Sequence, residues 1–145
     1  MKPVVWKALS ALLIVLFAIL FVVGLVGGCG GMVETATGSQ VPMKCHWAFL
    51  AVSYVAPLGA IAGLLALMSS QQMARRVVCI MGKAVALVIG LLPSPLGIGA
   101  CANAEMSCNT SALVASIVSV VAFVLALVLC IKADPQATEK PKRSL

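Results

Sequence analysis

The feature that most constrains this chain is its first apolar run, residues 8–26, which contains no charged side chain and follows Lys2 and Lys7. A helix needs about 20 residues to cross a hydrocarbon core roughly 30 Å thick. The run therefore predicts a membrane-spanning helix. Further apolar segments predict three more spans, at residues 47–68, 77–92 and 112–131.

Composition supports a membrane protein and argues against a soluble one. Hydrophobic residues make up 62% of the 145 residues and charged residues 10%, whereas soluble domains are about 45–50% apolar. The net charge of +6 does not indicate nucleic-acid binding, because the basic residues do not form a polar face interleaved with aromatics. We predict an all-α fold, a four-helix transmembrane bundle over residues 1–131, and a disordered tail at 132–145.

The distribution of Lys and Arg predicts how the chain is oriented. Cytoplasmic loops of membrane proteins carry an excess of these residues. With a cytoplasmic N-terminus, only Lys44 lies on the opposite side, and the other flanking basic residues are cytoplasmic: Lys2, Lys7, Arg75, Arg76, Lys132, Lys140, Lys142 and Arg143. We therefore predict a multi-pass protein of the inner (cytoplasmic) membrane, in contact with the lipid bilayer and with both termini in the cytoplasm.

A short motif occurs twice. Pro42-Met43-Lys44-Cys45-His46-Trp47 precedes the second span and has Cys29 upstream; Glu105-Met106-Ser107-Cys108-Asn109 precedes the fourth and has Cys101 upstream. The repetition predicts two helical hairpins, residues 8–68 and 77–131, related by an axis along the membrane normal. Both motifs then lie on the extracytoplasmic side. Glycines four apart, Gly24/Gly28 and Gly59/Gly63, predict close helix packing.

The cysteines divide into two groups. Cys29, Cys45, Cys101 and Cys108 fall on the oxidising side, where an even number suggests disulfides, and four cysteines allow three pairings. The repeat favours Cys29–Cys45 and Cys101–Cys108, one bond within each hairpin. Cys79 and Cys130 lie near the cytoplasmic ends of their spans, and we expect them to be reduced core residues.

The same motif residues also fit a metal or cofactor site. Thiolate and thioether suit Cu(I), and imidazole suits copper or haem iron. If both disulfides form, the remaining candidate metal ligands are Met43, His46 and Met106. A simpler interpretation is that His46 and Asn109 cap their helices and that Trp47 is an interfacial anchor. We assign ligand or partner contact to Met43, Cys45, His46, Trp47, Met106, Cys108 and Asn109.

A third hypothesis is thiol–disulfide exchange. Two cysteine pairs in the external loops of a four-helix bundle are a layout similar to that of the quinone-coupled, disulfide-generating membrane oxidoreductases. Those enzymes use a Cys-x-x-Cys motif with a lowered thiol pKa. Here Cys29 and Cys45 are sixteen positions apart, and Cys101 and Cys108 are seven. We predict no catalytic residue, and this hypothesis ranks below the other two.

The run Met43-Lys44-Cys45-His46-Trp47, with Cys29 before it and Met106-Ser107-Cys108-Asn109 later, resembles an uncharacterised family of small prokaryotic four-span membrane proteins with that run as a hallmark. Members are often encoded beside macrolide-exporter-type ABC transporters. The resemblance implies a non-enzymatic accessory component that contacts the transporter permease and ATPase, or a homo-oligomer. No cofactor is expected on this hypothesis, and copper or haem belongs to the alternative.

Overall fold

The computed structural model describes residues 3–69, 72–99 and 107–133. These residues form four helices and one short hairpin, and the predicted all-α four-helix bundle is confirmed. In chain order the elements are α1 (Pro3–Val26), β1 (Met32–Glu34), β2 (Gln40–Pro42), α2 (Lys44–Met68), α3 (Gln72–Leu91) and α4 (Ser107–Ala133). Helix α4 thus extends two residues into the predicted tail.

Among the described residues, three helices are long and apolar enough to cross a membrane: Val4–Val26, Lys44–Met68 and Ser107–Lys132. Helix α3 is less apolar because Arg75, Arg76 and Lys83 fall within its 20 residues. The chain is a multi-pass membrane protein in contact with lipid. A fourth crossing by α3 and the orientation of the termini stay predictions.

The helices form a four-membered ring in which α1 packs on α2, α2 on α3, α3 on α4 and α4 on α1. The α1–α2 contact is the closest. A Cβ built on Gly24 would lie 2.6 Å from the Ser53 backbone nitrogen, and one built on Gly59 would enter the ring of Phe17. In lipid, helices associate largely through such van der Waals packing. The close approach predicted from the glycine spacing is therefore present at Gly24 and Gly59.

Helix α4 turns a stripe of mainly small residues toward the other helices. Its buried members recur at intervals of three and four, as one face of a helix requires: Ala112, Ala115, Ser119, Ala122, Ala126 and Leu129. The opposite face carries exposed apolar side chains, including Val120 and Val124. A helix that is apolar all round, with small residues inward, is suited to a bundle surrounded by lipid.

One end of the bundle, here called the arginine end, is held by polar contacts. The Trp6 Nε1–H donates to the Ala66 carbonyl over 3.0 Å. Arg75 places its guanidinium carbon 4.9 Å from the Trp6 ring centroid and donates from Nε to the Ser69 carbonyl over 2.8 Å. These contacts connect the start of α1 with the end of α2 and the first turn of α3.

Helix α3 stops before it reaches the other end, here called the cysteine end. Gly90 faces Ser119 of α4, and Ser119 lies twelve residues from the start of α4, or about 18 Å at 1.5 Å per residue. Beyond Leu91 the chain forms tight turns, in which the Leu92 carbonyl accepts bonds from the amides of Ile98 and Gly99. At the cysteine end, α2 and α4 are therefore not separated by α3.

Candidate metal centre

The cysteine end gathers three thiols from distant parts of the sequence. The Sγ atoms of Cys29, Cys45 and Cys108 all lie within 4.8 Å of one another. Cys29 follows α1, whereas Cys45 and Cys108 are each the second residue of their helices, α2 and α4. Cys45 and Cys108 are fully buried and Cys29 is partly buried. The prediction that Cys45 and Cys108 lie at the same end of the bundle is confirmed.

The ends of three helices bring these thiols together. Helix α1 ends at the cysteine end, and α2 and α4 begin there. Helix α3 ends about 18 Å short of it, and the first turns of α2 and α4 bring the Sγ atoms of Cys45 and Cys108 within 4.8 Å of each other. Cys45 and Cys108 belong to the same buried cluster as Phe49 and Val52. The thiols thus lie at the apolar interior edge of the bundle rather than in open loops.

A short β-hairpin lies in the connection between α1 and α2. Its strands pair antiparallel, with Met32 opposite Pro42 and Val33 opposite Val41. The turn is closed by Thr35, whose amide and hydroxyl both donate to the Ser39 carbonyl, over 2.9 and 2.8 Å. Because the hairpin starts three residues after Cys29 and ends three before Cys45, it connects two of the thiols.

His46 lies beside the three-thiol group but is not a member of it. Its Nδ1 lies 3.7 Å from the position that a Cβ would occupy at Gly28. The ring meets Trp47 edge to face, with centroids 5.8 Å apart and an interplanar angle of 83°. Trp47 is 51% exposed, which suits the predicted interfacial position. A ligand role for His46 stays a prediction.

The proposed capping role of His46 and Asn109 is wrong. Helix α2 begins at Lys44, with Met43 at the cap position and no side-chain cap bond. His46 is therefore the third helical residue, as Asn109 is in α4, which begins at Ser107. The error arose because hydropathy detects a helix only where its apolar residues begin, whereas the first turns of both helices are polar.

The remaining predicted contact residues have different outcomes. Met43 is partly buried, and its Sδ lies 3.2 Å from the place a Cβ on Gly31 would occupy. Asn109 is exposed and lines a cavity of about 470 Å³ together with Pro93 and Ser94. Cys101 and Met106 lie outside the described residues.

The predicted Cys29–Cys45 and Cys101–Cys108 disulfides stay predictions, and Cys101 lies outside the described residues. What the structure adds is that Cys108, from the second hairpin, joins the two cysteines of the first. No local sequence signal indicates this, since it depends on how the two hairpins pack. Cys79 and Cys130 lie near the arginine end, in the second turn of α3 and the last turn of α4.

The three thiols fit a metal ion. Three thiolates bonded to one ion at about 2.3 Å place their sulfurs roughly 3.8–4.0 Å apart, in tetrahedral or trigonal geometry. The observed sulfurs lie within 4.8 Å of one another, so each separation needs to contract by about 1 Å at most. Side-chain rotation is enough for such a change.

Comparison with known proteins gives one match. A family model described as a domain of unknown function, DUF4418, matches residues 7–132 and includes the three thiols and the hairpin. No curated protein and no solved structure matches the chain. The match fits the resemblance to an uncharacterised family, whereas the hallmark run and the neighbouring exporter stay predictions.

Proposed function

We propose that this chain, which belongs to the DUF4418 family of unknown function, is a non-enzymatic membrane protein that binds a soft metal ion at its extracytoplasmic end. The ligands are the thiolates of Cys29, Cys45 and Cys108. The observation that carries the proposal is the convergence of their three sulfur atoms within 4.8 Å. Among the hypotheses from sequence, the geometry favours metal binding.

The donor set selects the kind of metal. Soft thiolate ligands favour Cu(I), zinc and iron–sulfur clusters over hard cations. Haem is a poorer fit, because a haem iron takes a single cysteine thiolate as an axial ligand, and three converge here. A bound cation also neutralises the charge of thiolates in an apolar site, where an uncompensated charge is costly. Binding should therefore release protons from the thiols.

The test is metal titration of the purified chain in detergent, with Cu(I) and Zn(II) each in competition with a coloured chelator. Loss of one of the thiolates, in Cys108→Ser, should weaken binding by roughly two to three orders of magnitude, since a four-ligand structural zinc site is worth about 10–16 kcal/mol in total. The matched control is Cys130→Ser, the same substitution at the far end of the same helix.

The wild-type chain and Cys130→Ser should bind one ion with equal affinity. Two results contradict the proposal: a wild-type chain that binds neither ion, or a Cys108→Ser chain that binds as tightly as wild type. Equal helical circular dichroism of the variants shows that any loss of binding is not due to unfolding.

A second candidate function is thiol–disulfide exchange, and the position of Cys108 near both other cysteines favours it. The Cys108 thiolate would attack one sulfur of a Cys29–Cys45 disulfide, forming a new S–S bond as the other cysteine leaves as thiolate. Such an isomerisation needs no external oxidant. Mass mapping of disulfides in the oxidised chain tests it, because exchange requires a Cys108 bond to Cys29 or Cys45, and an exclusive Cys29–Cys45 bond contradicts it.

An ABC-type exporter remains the partner that the family resemblance implies, and we propose it as the setting of the metal site. Purification of the tagged chain from native membranes in mild detergent, followed by mass spectrometry, should recover the permease and ATPase together. Recovery of the chain alone, or only as a homo-oligomer, contradicts this assignment without bearing on metal binding.

A further inference from the structure

Met43 carries a thioether sulfur in the chain segment that connects two of the three thiols, Cys29 and Cys45. It occupies the cap position of α2 in an extended conformation, with φ −61° and ψ 154°. Its amide donates to the Gly31 carbonyl over 3.3 Å. Gly31 is two residues after Cys29, and Met43 is two residues before Cys45. The backbone therefore holds Met43 between the two chain segments that carry these thiols.

The side chain of Met43 lies over Gly31. A Cβ on Gly31 would be 3.0 Å from the Met43 Cε and 3.2 Å from its Sδ, closer than ordinary contact. Because Gly31 has no side chain, the Met43 thioether can lie close to the position that a Cβ of residue 31 would occupy. Met43 also packs against the buried cluster that contains Cys45 and Cys108.

A second thioether lies further out. Met32, the first residue of β1, is 61% exposed and follows Gly31 directly. Met32 is therefore the more exposed of the two thioethers in the segment between Cys29 and Cys45. Apolar packing alone explains a methionine such as Met43 in many proteins. Here the thioether also lies over Gly31, two residues after Cys29.

A thioether ligand discriminates between Cu(I) and Zn(II), whereas thiolate ligands bind both ions. Cu(I) accepts both thiolate and thioether ligands, whereas Zn(II) sites in proteins use thiolate, imidazole and carboxylate. A thioether is uncharged and does not bind protons in the physiological range, so it remains a ligand where thiols are protonated. A thioether near a thiolate group therefore favours Cu(I) over Zn(II).

We infer that the ion is Cu(I) and that Met43 binds it through Sδ beside the thiolates. The inference rests on the proposed metal-binding function and adds the identity of the ion and a fourth sulfur ligand.

The experiment measures Cu(I) and Zn(II) affinities of the full chain in detergent, with bathocuproine disulfonate as the Cu(I) competitor under ascorbate and a pyridylazo dye for Zn(II). Met43→Leu keeps the size and apolar character of the side chain but removes its sulfur. The matched control is Met68→Leu, at the other end of α2, where Met68 is 75% exposed.

Met43→Leu should weaken Cu(I) binding on the order of ten- to a hundredfold, the range seen when a supporting partner of a metal site is lost, and should leave Zn(II) affinity unchanged. Met68→Leu should change neither affinity. Gly31→Ala, which displaces the thioether, should reproduce the Cu(I) effect with Met43 still present.

The possible results distinguish the inference that the ion is Cu(I) bound by Met43 from the proposed metal-binding function. Unchanged Cu(I) affinity in Met43→Leu overturns the inference and leaves the thiolate site standing. Equal losses of Cu(I) and Zn(II) affinity also overturn it, because Met43 then only supports the local fold. A wild-type chain that binds neither ion overturns the proposed function itself.

Discussion

Gly24→Ala tests whether helix packing sets the spacing of the thiols. A Cβ at this position would lie 2.6 Å from the Ser53 nitrogen and 2.9 Å from its Cα. These are backbone atoms of α2, so they cannot rotate away as a flexible side chain can. Gly24 is five residues before Cys29, and Ser53 is eight after Cys45. The substitution therefore pushes α1 and α2 apart next to the thiol group.

The size of the effect follows from these distances. Non-bonded atoms pack best at about 3.5–4.0 Å, so the two helices must separate locally by roughly 1 Å. Overpacking of this kind costs about 1–3 kcal/mol, and replacing Gly by Ala in a helix recovers up to about 1 kcal/mol. We expect a net loss of about 1–2 kcal/mol. The same separation moves the sulfurs further from the roughly 3.8–4.0 Å that an ion needs, so metal affinity should also fall.

The free energy of unfolding can be measured by circular dichroism as SDS is added to the chain in mixed micelles. Gly82→Ala is the control, because a Cβ there would lie 3.8 Å from both the Ala126 Cβ and the Leu13 Cδ2, an ordinary contact. It should leave stability unchanged or raise it by up to about 1 kcal/mol. Equal stabilities of the two variants, or a Gly24→Ala chain with undiminished metal affinity, would refute the reasoning.

Two further predictions concern α1. Trp6→Phe removes the Nε1 hydrogen bond to Ala66 and weakens the contact with Arg75. It should lower the free energy of unfolding by about 1–2 kcal/mol in the same SDS titration, and an unchanged midpoint contradicts this prediction. Ser10→Ala should raise the free energy of unfolding by about 1 kcal/mol, because the Ser10 hydroxyl is fully buried and makes no hydrogen bond within the described part of the chain. A fall in the midpoint would show that the hydroxyl has a partner.

Apolar length predicts the bundle well but locates its helix ends poorly. The run at residues 8–26 and the helix Pro3–Val26 share their last residue, since the chain leaves lipid where glycines follow. By contrast, α2 begins three residues before its predicted start and α4 five. Their first turns carry Lys44, His46 and Asn109, which a hydropathy criterion excludes although a helix can present polar residues at a membrane surface.

The β-hairpin and the group of three thiols could be identified only from the structure. Strands of three residues, such as Met32–Glu34, are too short for an alternation pattern to stand out. The repeat correctly predicts that Cys45 and Cys108 share one end, but it favours pairing within each hairpin. Their actual approach depends on how the helices pack, which neither motif encodes.

The separate origins of the three thiols have a consequence for biogenesis. Cys29 and Cys45 emerge from the ribosome early, whereas Cys108 belongs to α4, the last of the described helices. The third thiol is absent from a nascent chain that has inserted only its first hairpin, and it stays apart from the other two if the second hairpin fails to dock. If the three thiols bind an ion as proposed, its capture therefore requires insertion and docking of the second hairpin.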